Sequence, residues 1–322
     1  MVDAVSIAGR QLINCKDDFL LMRRACDELY RVFSTITGVD ISKLSEGDIQ
    51  LPSGKAISPS GAAHCLLEMK RTAVFLRGIK EAIDSKFHEG NSMVSILYAG
   101  CGPYATLITP LFSYYSSEQV RITLLDINPV SLEAVEALYS SLGFDGYVTD
   151  FVLSDASTYT VDKPYDIVVS ETMQAGLKKE PQVAIMQNLI PQCSANTIFI
   201  PEQITIDVYL KKKGIWQGDQ LLEEGGKTTF LCELFSVSKA MLDVSTYRKV
   251  VDIPQSLVGP HDLLLYTTIK VFNDEILGLN DCSLNMPLRY YELRNSYPKS
   301  IDFWYSQTDK PKIESKFLDC IT

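Results

Sequence analysis

From Val94 to Ile200 the chain alternates between short apolar runs and longer segments with helical spacing, and this alternation is what most restricts its fold. VSILYA is followed by YATLITPLFSYY, VRITLLD by PVSLEAVEALYSSLG, and after YVTDFVL the run YDIVVS precedes PQVAIMQNLIP and TIFI. Strands buried on both faces read as unbroken apolar runs, and helical crossovers between them make a parallel, doubly wound α/β sheet the expected core. Asn128 and Pro129 have the character of a helix cap and first residue, and Gly143 of a terminator.

The flanks read differently. The first ninety residues are expected to be helical: Asp17 to Thr35 carries apolar residues at helical spacing, and a second helix follows the breaker cluster Leu51 to Gly61 and runs to about Phe87. The first of these would either close over a ligand or cover the sheet edge. After Pro201 the segments ITIDVYL, TTFLCELF, KVVDI, DLLLYTTIKVF and IDFWY are β-branched or aromatic and separated by breakers, which predicts an antiparallel β domain. The expected division is thus 1–90 helical, 91–201 Rossmann-like and 202–322 β-rich. Tyr290, Tyr291, Trp304 and Tyr305 fit either a substrate roof or the packing of that domain.

Composition removes several function classes. With 46% apolar and 22% charged residues the chain is globular, and 30 basic against 40 acidic residues give a net charge of −10, which argues against a phosphate-neutralising surface for nucleic acid. Lys211 to Lys213 is read as a solvated loop between strands. No segment approaches the roughly 18 uninterrupted apolar residues of a membrane span, and no signal-peptide pattern opens the chain, so a cytoplasmic protein is expected. The eight cysteines form no CxxC pair and lie apart from His64, His88 and His261, so reduced, mostly buried thiols are expected, with no metal and structural histidines.

Chemistry concentrates at the strand ends. Gly100 and Gly102 follow the first strand in AGCGPY, where glycine lets a ligand approach the backbone and the amides of a helix beginning near Tyr104 would face it. Asp126 ends the second strand, 24 residues after Gly102, the placement at which a carboxylate accepts from two ribose hydroxyls. Asp155, with Ala156, follows the third strand. One adenosine-bearing ligand lying across these ends accounts for all three placements. Beyond YDIVV, the stretch SETMQAGLKKE places Glu171 and Glu180 nine residues apart, both directed to the crevice at the carboxyl ends of the strands.

The layout resembles the class I S-adenosylmethionine-dependent methyltransferases, and within them the protein arginine methyltransferases. That family carries M-L-x-D-x-x-R-T before its glycine motif, which CLLEMKRT matches at Leu66, Arg71 and Thr72 with Glu68 for the acid; S-E-W-M-G-x-x-L-x-x-E is matched at Ser170, Glu171, Met173, Leu177 and Glu180. Its strand ending in Ile-Pro before a β-barrel-like domain corresponds to Ile200 and Pro201. The resemblance implies S-adenosyl-L-methionine as cofactor, with Arg71 on its carboxylate, Gly100 and Gly102 beneath it, Asp126 on its ribose and Asp155 and Ala156 near its adenine. It further implies Glu171 and Glu180 as catalytic residues gripping a cationic nitrogen, and a homodimer. Paired carboxylates suit a guanidinium because they orient it and draw its charge from the attacking nitrogen.

The sequence departs from the family at Tyr98 and Tyr104, which stand for the strand-end acid and third glycine, and at Thr172, which stands for a tryptophan. The Thr-His-Trp and Y-F-x-x-Y segments have no counterpart. N-methylation of a guanidino or amino group on a small molecule or peptide is therefore the expectation. The alternatives are an O- or C-methyltransferase and a catalytically silent methyltransferase-fold binding protein.

Overall fold

The computed structural model describes residues 1–16, 18–43, 47–217, 220–226, 228–294 and 297–320. Its helices are α1 (Val2–Asn14), α2 (Phe19–Thr37), α3 (Pro59–Cys65), α4 (Met69–His88), α5 (Pro129–Leu142) and α6 (Gln182–Leu189). Strands β1 (Ile49–Leu51) and β2 (Gly54–Ala56) form a small hairpin. Strands β3 (Val94–Ala99), β4 (Val120–Asp126), β5 (Val148–Leu153), β6 (Ile167–Ser170) and β7 (Ile198–Ile200) make a five-stranded parallel sheet in the order β5-β4-β3-β6-β7.

That order contains one reversal. The chain builds outward from β3 through β4 to β5, then returns to the other side of β3 with β6 and β7, so the crevice opens beyond the carboxyl ends of β3 and β6, where the strand order reverses. β3, β4 and β6 are almost wholly buried and were legible as apolar runs, whereas the edge strand β5 is half-exposed. α5 begins as expected, with Asn128 Oδ1 accepting from the Val130 amide at 3.0 Å and Pro129 at its first position, and it stops at Gly143 with φ +70°.

The remaining strands are β8 (Gln203–Lys212), β9 (Ile215–Gln217), β10 (Gln220–Glu223), β11 (Thr228–Ser238), β12 (Arg248–Asp252), β13 (His261–Phe272), β14 (Glu275–Leu277), β15 (Leu288–Leu293), β16 (Pro298–Ser306) and β17 (Lys312–Cys320). They pair antiparallel: β11, β8, β13 and β14 in one path with β15 also on β13, and β12, β16 and β17 in another. β8 alternates buried and half-buried residues along its length, the period-2 pattern of a strand with one face on the core. Lys211 and Lys212 end this strand instead of forming a loop, and Lys213 Nζ pairs with Glu292 at 2.7 Å.

α4 joins the two halves. Eleven of its 20 residues are buried, and at Gly78 the helix lies so close to β13 that a Cβ would stand 2.6 Å from Val271 Cγ1. Its first turn is thereby held at the crevice, which places Arg71. The amino-terminal expectation of helices is corrected twice: the 51–61 breaker region contains half of the β1–β2 hairpin, and the second helix is broken into α3 and α4 at Leu66–Glu68. Asp17 lies outside the described residues; the helix there spans Phe19–Thr37 and buries Met22, Leu29 and Phe33. No described helix is long and apolar enough to cross a membrane.

The largest correction concerns YATLITPLFSYY. Turns occupy this stretch up to a short 3-10 segment at Thr109–Ser113, and there is no α-helix. Three local causes act together. Ala105 is left-handed at φ +42°, Thr109 Oγ1 donates to Tyr104 O at 2.7 Å, and Pro110 has no amide to give. Support comes from α1 and α2 instead: Gly9 approaches Pro110 so closely that a Cβ would meet its carbonyl oxygen at 2.6 Å, and Tyr104 donates its hydroxyl to Val39 O while packing on Phe33 at 5.4 Å.

Candidate active site at the strand ends

One cavity of about 600 Å³ lies at the reversal of the sheet, and every residue expected from the sequence to bind cofactor or acceptor lines it: Arg71, Gly100, Gly102, Asp126, Asp155, Ala156, Glu171 and Glu180. Its volume is in the range that encloses a cofactor-sized ligand. The lining holds six carboxylates (Asp48, Glu68, Asp126, Asp155, Glu171, Glu180) against three basic side chains (Lys55, Arg71, Lys178), so the interior favours positively charged ligands.

At its floor, Gly100 and Gly102 sit at φ +79° and +65°, a region that glycine enters without cost. The Gly102 amide donates to Asp126 Oδ2 and the Asn128 amide to Asp126 Oδ1, each at 2.8 Å. A carboxylate offers about four lone pairs, so acceptor capacity remains. Burial raises the Asp126 pKa above the ordinary aspartate value, and the Asn128, Gly102 and Ile127 amides pull against that rise. Asp155 is turned partly inward on its own loop, Oδ1 accepting from the Ser157 amide at 2.8 Å and from its hydroxyl at 2.7 Å. The expected face of helix amides beside the glycines is absent, because residues 102–108 are turns. Tyr98 stands at the end of β3, 4% exposed, as part of the wall.

The two glutamates are held differently. Arg71 donates through Nη1 to Glu68 Oε2 at 2.8 Å and through Nη2 to Glu171 Oε2. Glu68 Oε1 accepts from the Ser283 amide at 2.9 Å; burial works against its charge, but Arg71 and Ser283 overcome this and hold its pKa below the ordinary glutamate value. Among the described residues, Glu171 Oε1 is buried without a partner. Glu180 accepts from Gln174 Nε2 at 2.8 Å, and burial raises its pKa against that bond and the distant pull of Arg71 and Lys55.

Their loop is shaped from outside. Gly176, Leu177 and Lys179 are all left-handed, at φ +69°, +53° and +70°. The conformation is pinned by the β domain: the Gly176 amide donates to Thr267 Oγ1 at 2.9 Å, Tyr305 gives its hydroxyl to Leu177 O at 2.9 Å, and the Lys179 amide reaches Pro311 O at 2.7 Å. Tyr305 therefore supports the loop, while Tyr290 packs on Tyr291 and Phe303; none of the four late aromatics lines the cavity.

Sequence reading missed three contributors. Gln182, 1% exposed, accepts from the Thr172 amide at 2.8 Å and donates to Ser170 O at 3.1 Å, gripping the backbone on both sides of Glu171. No local pattern marks it. The β1–β2 hairpin brings Asp48 and Lys55 to the cavity wall, and its strands are too short for periodicity to show. His64, expected to be structural, is exposed on α3 and lines the cavity. His261 is buried, with Nδ1 3.0 Å from Gly259 O. Among the described cysteines, Cys15, Cys26 and Cys101 are buried and Cys65, Cys193, Cys232 and Cys282 half-buried, because several lie on the cavity rim or on half-exposed strands.

No protein-family model matches the chain, and no curated protein does. Among solved structures it is similar to the Trypanosoma brucei PRMT1 enzyme-prozyme heterotetrameric complex with AdoHcy, at 12% identity and a TM-score of 0.51 over 78% of this chain and 91% of that one. The chain thus has a Rossmann-like, doubly wound parallel sheet followed by an antiparallel β domain, a fold similar to that of this structure.

Proposed function

We propose that this chain is an S-adenosylmethionine-dependent methyltransferase acting on a cationic nitrogen of a small guanidino or amino compound. The observation that carries the reading is that Glu171 and Glu180 both line the cavity, Glu180 buried and the Glu171 side chain only 5% exposed, with Glu171 Oε1 lacking any partner among the described residues. A buried acceptor left unsatisfied costs about 1–3 kcal/mol, which an N–H of a bound acceptor would recover. Binding a cation between them would also offset the burial of Glu180.

The residues present fit the cofactor. Gly100 and Gly102 leave the floor open to close backbone approach, and the Asp126 carboxylate keeps acceptor capacity for ribose hydroxyls. Asp155 and Ala156 would border the adenine, and Arg71 would hold the amino-acid carboxylate. Bound there, S-adenosylmethionine supplies an electrophilic methyl group. The chain's own task is to orient the acceptor nitrogen by two carboxylates and to remove the proton it loses as it gains the methyl. Glu180 is the residue placed for that proton, since its partner is the neutral Gln174 whereas Glu171 is tied to Arg71.

A small acceptor is favoured over a polypeptide by the β1–β2 hairpin. It lines the cavity and is tied to the β domain and to the strand-end loops through Gln50 Nε2 to Asp309 O at 2.6 Å, the Lys55 amide to Lys179 O at 2.6 Å, and Ser53 Oγ to Ser157 Oγ at 3.0 Å. With Leu51, Lys55 and Ala56 on the cavity wall, the hairpin takes up space beside Glu180 that a polypeptide acceptor would need.

A second reading, a catalytically silent methyltransferase-fold partner, draws on the missing helix after Gly102 and on Tyr98 in the wall. The comparison structure is an enzyme-prozyme heterotetramer, and assembly with another chain would accompany that reading. The deciding experiment incubates metabolite and peptide extracts with methyl-deuterated S-adenosylmethionine and compares the natural chain with Glu180→Gln by mass spectrometry. A labelled cationic product lost in the variant supports the first reading. No labelled product, and no calorimetric heat with S-adenosylhomocysteine, supports the second.

A further inference from the structure

Glu171 and Glu180 account for a cationic nitrogen, but they leave a second charged feature of the same cavity unused. The hairpin carries Asp48 and Lys55 to its wall, with Lys55 Nζ 2.6 Å from Asp48 Oδ2 and side-chain exposures of 29% and 21%. Asp48 is fixed in place, because its other oxygen accepts from the Ser58 amide at 2.7 Å. The pair sits at the Glu180 end: Lys55 donates its backbone amide to Lys179 O at 2.6 Å, and at Gly54 a Cβ would lie 3.0 Å from the Glu180 carbonyl carbon. Both charges are felt by Glu180, Lys55 favouring its ionised form and Asp48 opposing it.

An ion pair on a partly desolvated wall discriminates by charge pattern. A ligand group bearing a single charge is attracted by one partner and repelled by the other, and the two effects nearly cancel. A group bearing both charges side by side can lie antiparallel to the pair and gain from each, and the gain is larger where water is excluded. An α-amino-acid head group has that pattern, an ammonium and a carboxylate on one carbon. Its carboxylate would meet a lysine as a charge-assisted acceptor and its ammonium would meet a carboxylate as donor.

We propose that the acceptor is a free α-amino acid whose side chain ends in a cationic nitrogen, with its carboxylate on Lys55, its α-ammonium on Asp48 and its side-chain nitrogen between Glu171 and Glu180. This rests on the methyltransferase reading and names its substrate class. It also gives the hairpin a purpose, since a residue within a polypeptide has neither the free ammonium nor the free carboxylate that the pair would read.

The test is calorimetric titration of the full chain, loaded with S-adenosylhomocysteine, with three probes: L-arginine, agmatine, which lacks the carboxylate, and 4-guanidinobutyrate, which lacks the α-ammonium. L-arginine is expected to bind at least tenfold more tightly than either. Lys55→Gln should bring arginine and agmatine to within about threefold of each other, and Asp48→Asn should do the same for arginine and 4-guanidinobutyrate. Agmatine binding as tightly as arginine to the natural chain overturns the inference and leaves the cation-binding reading standing. Heat from S-adenosylhomocysteine with none from any probe overturns the inference and the proposed acceptor together. No heat from S-adenosylhomocysteine itself overturns the methyltransferase reading on which the inference depends. Where a variant fails to fold, the ranking of the three probes on the natural chain decides alone.

Discussion

Arg71 and Glu171 lie 100 residues apart in sequence, and the guanidinium of one is bonded directly to the carboxylate of the other inside the cavity. The contact joins the first turn of α4 to the loop after β6, so the residue expected to meet the cofactor and one of those expected to meet the acceptor form a single unit. Glu68 closes it from the other side of the guanidinium, and the side chains of Arg71 and Glu171 are only 8% and 5% exposed.

Removing the arginine alone should therefore be costly. Arg71→Ala leaves two buried or half-buried carboxylates without their cation, a situation that typically destabilises by about 3–5 kcal/mol. Arg71→Ala combined with Glu171→Gln should recover at least about 1 kcal/mol of that loss, because the second change removes the stranded charge. Urea unfolding of the two single variants and the double variant measures the coupling. Additive losses would show that the pair contributes no interaction of its own.

Glu180 gives a pH signature in stability. Its folded-state pKa is raised by burial, so the folded protein holds the proton more tightly than the unfolded chain; stability from this group is greatest below the ordinary glutamate pKa and declines as pH rises through the folded value. Glutamine cannot ionise. Glu180→Gln should match the natural chain in thermal midpoint at pH 4 and exceed it at pH 8, even as turnover is lost. A midpoint difference that does not change with pH would contradict the burial argument.

Asp126→Ala should weaken S-adenosylhomocysteine at least tenfold in calorimetry, since it removes both ribose acceptors and unseats the Gly102 and Asn128 amides that bond to them. Asp126→Asn keeps one acceptor oxygen and should fall between. An unchanged affinity in the folded alanine variant would mean that Asp126 serves only to order the β4–α5 turn.

What the sequence disclosed follows from the reach of each signal. Val94–Ala99 and Ile167–Ser170 were legible because a strand buried on both faces has to be continuously apolar, and Asn128, Pro129 and Gly143 because cap chemistry is local. Residues 104–115 misled because their apolar spacing is helical, while the Thr109 hydroxyl, the left-handed Ala105 and Pro110 together override it. The candidate residues could be named one by one from motif spacing. Their bonding was not, because the link between Arg71 and Glu171, the grip of Gln182 on Ser170 and Thr172, and the arrival of Asp48 and Lys55 at the wall depend on elements far apart in sequence.

The loop carrying Glu180 offers a test of how it is held. Lys179 is exposed yet left-handed, a conformation costing an L-residue about 1–2 kcal/mol, whereas its bonds to Pro311 and Lys55 use only the backbone. Lys179→Gly should raise stability by about 0.5 kcal/mol after the extra entropy of glycine is subtracted. Leu177→Gly relieves the same kind of strain but removes a side chain that is 1% exposed, and should destabilise by about 2 kcal/mol or more. Chemical unfolding of both variants separates backbone strain from packing, and equal effects would show that strain is not the distinguishing factor.

The β domain carries an electrostatic conflict of its own. Asp207 on β8 faces Glu233 on β11 as its direct cross-strand partner, with Tyr266 opposite on β13, and like charges so placed repel. Burial, and after it Glu233, push the Asp207 pKa up from 3.8 to about 6. A raised folded pKa means that protonated Asp207 is the form the fold prefers, so its stabilising effect is present below pH 4 and is lost as pH rises through 6. Asp207→Asn should be indistinguishable from the natural chain at pH 3.5 and more stable at pH 7.5, by about 1 kcal/mol once solvent screening of this half-buried site is allowed for. Adding Glu233→Gln to the asparagine variant should give little further gain, since one neutral partner already ends the repulsion. If Glu233→Gln alone leaves the pH dependence intact, burial outweighs the neighbouring charge at Asp207, and if Asp207→Asn does not alter it, the two carboxylates are not in conflict.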